Sequence, residues 1–200
     1  MDLKNAVRKY FRKKSKFSIA SDIVFVALVI ALLFPSSRMF VMSTVQRLTL
    51  FQPSIEKTGA TPKLPDEAYE WEFQDMNGET VSLERFDDKV IFLNFWGTWC
   101  PPCVAEMPSI QDLYNQFGDR IAFVLVSNEK QSVIKEFMQK NEYSFPVYKG
   151  IYRTPEALST ETLPTTFIIT KDGRIVLRKE GSAKWDGSKV TKQLEQLISQ

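Results

Sequence analysis

The spacing of hydrophobic residues in the C-terminal two thirds of the chain predicts alternating strands and helices. Residues 90–95 and 121–126 are apolar runs bounded by turn-prone residues, which is typical of strands buried on both faces. Between them, apolar residues recur at helical spacing from Cys103 to Phe117, and Gly118 is a natural stop for such a helix. This order predicts a βαβ unit with two parallel strands.

Two hairpins and two further helices complete the predicted domain. The first hairpin pairs strands 71–75 and 80–83, with its turn at Asn77-Gly78. The second pairs strands 165–170 and 175–179, with its turn at 171–174. Apolar residues at helical spacing in 133–138 and 190–198 predict a second helix of the domain and a closing one. The sequence therefore predicts an α/β fold whose central sheet is mixed.

The N-terminal segment has a different pattern, which predicts attachment to a membrane. Seven basic residues between Lys4 and Lys16 precede an unbroken run of 12 apolar residues, 23–34. We interpret 1–18 as a basic cytosolic tail and 19–37 as a transmembrane signal anchor, although a span needs about 20 apolar residues. The excess of positive charge before the run places the N-terminus in the cytosol and the rest of the chain outside.

Two alternatives apply to this segment. The apolar run also has the length of a cleaved signal peptide, although no small-residue cleavage site follows it. Residues 38–65 are interpreted as a juxtamembrane segment and linker, of which the first part either lies on the outer leaflet or extends the spanning helix. Residues 66–200 form the predicted globular domain.

The charge and composition of the chain exclude several classes of function. Residues 1–61 hold ten Lys or Arg against three acids, which leaves 16 bases and 21 acids for residues 62–200. The basic character therefore belongs to the tail, and it indicates a membrane surface rather than nucleic acid. The sequence contains no histidine, which argues against a metal site and against Cys-His or Ser-His catalysis. We expect no metal and no cofactor.

The two cysteines, Cys100 and Cys103, are separated by two prolines and follow a predicted buried strand. The N-terminus of a helix stabilises the thiolate of the first cysteine through free N–H groups and the helix dipole. The second cysteine lies one turn further along, where it can attack a mixed disulfide. The spacing therefore predicts that Cys100 is the nucleophile and Cys103 the resolving cysteine.

At these residues the sequence resembles the thioredoxin superfamily, in particular its membrane-anchored TlpA/ResA-like branch, which includes proteins of cytochrome c maturation. The resemblance covers most of residues 62–200 and rests on three segments. They are Asn94-Phe95-Trp96-Gly97-Thr98-Trp99-Cys100-Pro101-Pro102-Cys103, Glu106-Met107-Pro108, and Leu163-Pro164-Thr165-Thr166-Phe167.

The resemblance implies a thioredoxin fold and a set of substrate-binding residues. Pro164 matches a cis-proline beside the cysteine pair, and the backbone of Leu163 and Thr165 would bind an extended substrate there. An ordinary trans proline before a strand is the alternative. Trp99 is expected to shield Cys100 and to form part of the docking surface, whereas Trp96 is expected to pack in the core.

The resemblance also assigns a role to Glu106, which lies one helical turn after Cys103 and matches an acidic position of that branch. Asn94 stands where cytosolic thioredoxins carry a buried aspartate, and a neutral amide cannot take the proton of the resolving cysteine. We therefore predict that Glu106 tunes or deprotonates the pair. The alternative is a surface acid that only complements the helix dipole.

These observations predict a protein thiol-disulfide oxidoreductase outside the cytoplasmic membrane. The favoured direction is reduction of cysteine pairs in client proteins, with re-reduction by a membrane electron-donor protein. An oxidase or isomerase is the alternative. A peroxiredoxin-like peroxidase is disfavoured because Leu93 and Gly97 occupy the positions where its pocket needs Pro and Thr or Ser. A copper-delivery protein is disfavoured because such proteins use two cysteines separated by three residues together with a histidine, and this chain has neither.

Overall fold

The computed structural model describes residues 15–33, 35–55 and 61–200. Most of the predicted basic tail, 1–14, lies outside the described residues. The chain separates into two compact units, which meet in sequence between Met42 and Ser43. Helix α1 covers Lys16–Leu33, and helix α2 covers Pro35–Arg47. No helix in the described part of the chain has both the length and the apolar character needed to cross a membrane.

The domain is built on a seven-stranded sheet. Its strands are β1 (Glu72–Gln74), β2 (Thr80–Ser82), β3 (Ile91–Phe95), β4 (Ala122–Ser127), β5 (Val147–Gly150), β6 (Thr165–Ile169) and β7 (Ile175–Glu180). Its helices are α3 (Pro101–Phe117), α4 (Gln131–Lys140) and α5 (Ser188–Ile198). The strand order is β2-β1-β5-β4-β3-β6-β7.

The pairing of the strands confirms the predicted mixed sheet. β3 pairs with β4 in parallel and with β6 in antiparallel, and the predicted hairpins β1–β2 and β6–β7 are both antiparallel. β5 was not predicted from the sequence, and it joins the N-terminal hairpin to the βαβ unit by pairing with both β1 and β4. It is only four residues long and follows Pro146, so its pattern is too short to be recognised.

The sheet separates two hydrophobic clusters, and β3 contributes to both. Phe92 belongs to the cluster that contains the buried residues of α3, α4 and α5. Ile91 and Leu93 belong to the opposite cluster, which short 3-10 turns and the N-terminal hairpin cover. Because side chains alternate along a strand, Asn94 lies on the same face as Phe92. This polar residue therefore points towards the helices.

The hairpin turn at Asn77-Gly78 and the helix end at Gly118 both form where the sequence predicts them. In the β1–β2 turn only Gly78 has a positive φ, of 92°. Asp75 organises the turn, because its Oδ1 accepts hydrogen bonds from the backbone N–H groups of Asn77 and Glu79. Gly118 ends α3 with a φ of −56°. A side chain there would lie 2.8 Å from the carbonyl oxygen of Tyr114, so space requires the glycine.

The segment predicted as a linker, 38–65, contacts the domain in two described stretches. Ile55 is buried, and its backbone N–H and C=O both bond the side chain of Gln193 on α5. Leu64 is also buried, and its N–H donates to the carbonyl oxygen of Gly173. These parts of the segment are therefore packed against the domain. We name residues 51–55 the docked segment.

Candidate active site

The carboxyl end of β3 leads into the cysteine motif through a tight turn. The N–H of Cys100 donates to the carbonyl oxygen of Gly97 at 3.2 Å. The carboxylate of Glu129, just after β4, accepts hydrogen bonds from the N–H of Thr98 at 2.6 Å and from its hydroxyl at 2.7 Å. Parallel strands β3 and β4 place these two loops at the same end of the sheet. Glu129 therefore fixes the turn that presents the first cysteine.

Cys100 and Cys103 form a disulfide at the N-terminus of α3, with their Cα atoms 5.3 Å apart. Cys100 is the N-cap residue, and its sulfur accepts a hydrogen bond from the N–H of Cys103 at 3.3 Å. Pro101 and Pro102 occupy the first turn, where a missing N–H costs little. Cys100 is 3% exposed and Cys103 is fully buried. Both cysteines are therefore buried, and Cys100 alone of the two keeps a small exposed fraction.

Glu106 is fully buried one turn after Cys103, so the alternative of a surface acid is wrong. Three N–H groups bond its carboxylate. Asn94 Nδ2 donates to Oε1 at 3.0 Å, while the backbone N–H of Ala183 and the indole Nε1 of Trp185 donate to Oε2 at 3.0 and 2.9 Å. The carboxylate thus connects β3, α3 and the loop that follows β7.

Burial raises the pKa of Glu106 from 4.5 to about 7. The hydrogen bonds from Trp185, Ala183 and Asn94, and the charge of Lys179, act in the opposite direction because they favour the ionised form. Desolvation outweighs them. The side chain can therefore exchange a proton near neutral pH, which an ordinary glutamate cannot do.

Asn94 is fully buried and connects Glu106 to β6. Besides its bond to Glu106, Nδ2 donates to the hydroxyl of Thr166 at 2.8 Å. Its Oδ1 atom has no hydrogen-bond partner among the described residues. The amide therefore holds the carboxylate in place and supplies no titratable group of its own.

The predicted docking residues lie at the same end of the sheet as the cysteines, because Phe95 at the end of β3 pairs with Thr165 at the start of β6. The Leu163–Pro164 peptide bond is cis, as the resemblance implies. Trp99 is 62% exposed, and its indole lies against Gly97. Trp96 is buried and contacts Phe137, which confirms its place in the core.

Sequence reasoning missed Glu129, Ala183 and Trp185 as parts of this site. The charged residues Glu129 and Lys130 before α4 are typical of a solvated helix start, so the local pattern gives no sign of the bond to Thr98. Trp185 was not considered, although a lone tryptophan in the polar stretch Gly181-Ser182-Ala183-Lys184-Trp185-Asp186-Gly187 was a signal that this loop packs inward. Its contacts join residues about eighty positions apart, which no local pattern reveals.

A disulfide at a helix N-terminus, next to a buried acid and on a sheet of this topology, defines a thiol-disulfide oxidoreductase of thioredoxin-like fold. A thiol:disulfide interchange protein of the thioredoxin family from Chlorobium tepidum aligns with a TM-score of 0.54 and 23% identity, over 69% of this chain and 99% of that protein. Its likeness shows the fold.

Two relatives and one family model extend the comparison. Thiol-disulfide oxidoreductase ResA of Bacillus cereus is 32% identical over 155 residues, which are 75% of this chain and 88% of that protein. The ResA of Halalkalibacterium halodurans is 34% identical over 115 residues, 56% of this chain and 65% of that protein. Residues 64–178 match the model of the AhpC/TSA family. The chain belongs to the AhpC/TSA family and is a ResA-like thiol-disulfide oxidoreductase of the thioredoxin superfamily.

Proposed function

We propose that the chain is a disulfide reductase that acts on cysteine pairs of client proteins through a mixed disulfide at Cys100. The observation that carries this proposal is the position of the pair, with Cys100 as the N-cap of α3 and Cys103 one turn inside the helix. Cys100 is 3% exposed and caps α3, whereas Cys103 is fully buried. The proposal assigns the attack on a client sulfur to Cys100 at the helix N-terminus and the resolution of the intermediate to Cys103.

Each cycle moves two electrons to the client. The thiolate of Cys100 attacks one sulfur of the client disulfide, and the other client sulfur leaves as a thiolate that takes up a proton. Cys103 then loses its proton and attacks the sulfur of Cys100. The mixed disulfide breaks, the second client thiolate leaves, and the Cys100–Cys103 disulfide remains. A membrane electron-donor protein with a dithiol would reduce it again.

Glu106 is the proposed acceptor of the proton from Cys103. It lies one turn along α3 from that residue, and its pKa of about 7 lets it hold or release a proton at neutral pH. The amide of Asn94 is neutral and cannot accept this proton. Replacement of Glu106 by Gln should therefore slow resolution while leaving the attack of Cys100 on a disulfide nearly unchanged.

The proposed client site combines the exposed indole of Trp99 with the backbone of Leu163, Pro164 and Thr165. Trp99 is 62% exposed, and the start of β6 lies beside the end of β3. An extended client segment next to its cysteine would therefore lie between the indole and the cis-proline loop. A peroxidase is disfavoured because Leu93 and Gly97 occupy the positions where its pocket needs Pro and Thr or Ser.

We also propose that the N-terminal segment holds the domain at the outer face of the cytoplasmic membrane, with the N-terminus in the cytosol. The support is the order of seven basic residues followed by the apolar run, together with the exposed apolar side chains of α1, such as Phe25 and Leu33 at 66% and 75%. Lipid and a membrane electron donor are the partners that this arrangement implies.

The reaction is tested with two matched variants of the reduced protein and a disulfide-bonded protein substrate. Cys103→Ser should accumulate a covalent adduct that thiol reagents release, and Cys100→Ser should form none. An adduct with Cys100→Ser and none with Cys103→Ser would reverse the assignment. The direction of electron flow is tested by equilibrating the cysteine pair with glutathione. A reduction potential of about −120 mV would contradict a reductase.

Membrane attachment is tested on intact spheroplasts. Added protease should digest the domain while the N-terminal tail stays protected, and the protein should sediment with membranes after washing with salt. A protected domain would contradict the orientation. Soluble protein that begins near residues 38–44 would instead support a cleaved signal peptide.

A further inference from the structure

Two of the three hydrogen bonds to Glu106 come from the loop between β7 and α5. Ala183 and Trp185 are fully buried, and both donate to Oε2. The backbone N–H of Trp185 also donates to the hydroxyl of Ser109 on α3, at 3.2 Å. The loop is therefore joined to α3 at two neighbouring turns, and two of these three bonds reach the carboxylate itself.

The docked segment holds the same loop from its other side. The N–H of Lys184, between the two donors, bonds the carbonyl oxygen of Phe51 at 3.0 Å. The side-chain oxygen of Gln52 accepts from the N–H of Lys189 in the first turn of α5, at 3.0 Å. Ile55 adds the pair of bonds to Gln193 described above. The middle of the loop and the helix that follows it are thus held by residues that precede the domain in sequence.

We propose that Trp185 is a positioning residue for Glu106 and that the docked segment keeps it in place. Through Lys184 and the start of α5, residues 51–55 hold the loop so that its two N–H groups point at the carboxylate. The docked segment then connects the N-terminal region of the chain to the proton acceptor. This inference rests on the proposed function, because only there does the protonation of Glu106 affect the reaction.

The physical reason is that a hydrogen bond donated to a carboxylate favours its ionised form. If the indole N–H is lost or moves away, desolvation acts with less opposition and the pKa of Glu106 rises. Lys179 on β7 is the charged group that acts on the carboxylate. Cys103 lies one turn before Glu106 on α3. In the oxidised protein the cysteines do not titrate, so the effect of the loop can be isolated.

The test follows the neutral carboxyl band of Glu106 by infrared spectroscopy as a function of pH, in the oxidised full chain. The band is assigned by its absence in Glu106→Gln. Its midpoint is expected at about 7 in the unaltered protein. Trp185→Phe should raise the midpoint by about one unit, since it removes one charge-assisted bond and keeps an aromatic ring.

The matched control is Trp71→Phe. Trp71 is also buried, but it lies in the opposite cluster and its Nε1 atom has no partner among the described residues. It should leave the midpoint unchanged while imposing a similar loss of packing. Equal midpoints in Trp185→Phe and the unaltered protein would overturn the proposal.

The part played by the docked segment is tested with Gln52→Ala at an exposed position, against Gln196→Ala on the exposed face of α5. Gln52→Ala should raise the midpoint in the same direction as Trp185→Phe and by less, and Gln196→Ala should not move it. An unchanged midpoint in Gln52→Ala would overturn the role of the segment. Because the band reports protonation alone, these results are independent of whether the protein reduces client disulfides.

Discussion

Glu106 gives this protein an unusual dependence of stability on pH, which the variant Glu106→Gln should abolish. The folded-state pKa is raised from 4.5 to about 7. The folded protein therefore binds more protons than the unfolded chain between these values, and its stability falls as the pH rises through that window. A difference of about 2.5 units corresponds to about 3 kcal/mol of unfolding free energy lost between pH 4.5 and 8.

The sequence makes this measurement unusually clean. No histidine is present, and the cysteines of the oxidised protein do not titrate. Few other side chains change charge between pH 5 and 8, so the background slope should be small. Urea unfolding of the oxidised protein at several pH values in this range gives the free energy directly.

The comparison to make is of slopes and not of absolute stabilities. Gln at position 106 carries its own N–H₂ group, which faces donors and shifts the whole curve by a constant amount. Glu106→Gln should nevertheless show a free energy of unfolding that is nearly flat between pH 5 and 8. A flat curve for the unaltered protein, or the same slope in both proteins, would refute the raised pKa.

Three further predictions concern single contacts. Glu129→Ala removes both hydrogen bonds to Thr98 and should lower the rate of thiol exchange with a small disulfide several-fold. Glu129→Gln should have an intermediate rate, and equal rates in Glu129→Ala and the unaltered protein would contradict the role of Glu129. Gly118→Ala places a methyl group 2.8 Å from a backbone carbonyl oxygen and should cost about 1–3 kcal/mol in urea unfolding, whereas an unchanged midpoint would contradict the steric account. Asn94→Asp puts a second carboxyl beside Glu106, so the highest apparent pKa of the pair should rise above that of the single acid by infrared titration.

The sequence predicts most of the fold, because most of its elements have a clear pattern. β3, β4 and α3 are long, strongly apolar or strongly periodic, and their order alone determines the parallel pairing. β5 has none of these properties. It is a strand because β1 and β4 both offer it partners, which is a tertiary effect and not a local preference.

The chemistry of the site divides in a similar way. Cys100, Cys103 and Glu106 lie within one short stretch, so their spacing on a helix was evident. Whether Glu106 faces solvent or core was not, because burial depends on a loop far along the chain. The predicted juxtamembrane segment and linker, 38–65, includes the docked segment, and prolines at 53, 62 and 65 are typical of linkers. The contacts of the docked segment with α5 join residues 138 positions apart, which no local pattern reveals.

The environment of Glu106 has two opposing effects on its protonation. All three of its partners are N–H donors, so the site is complementary to the ionised carboxylate. Complete burial favours the neutral acid by more than those bonds favour the anion. Near neutral pH the two forms are therefore close in free energy. A residue that only stabilised the fold would gain nothing from this balance, which costs stability as the pH rises from 4.5 to about 7. A group that must take a proton from a buried thiol and release it again requires it.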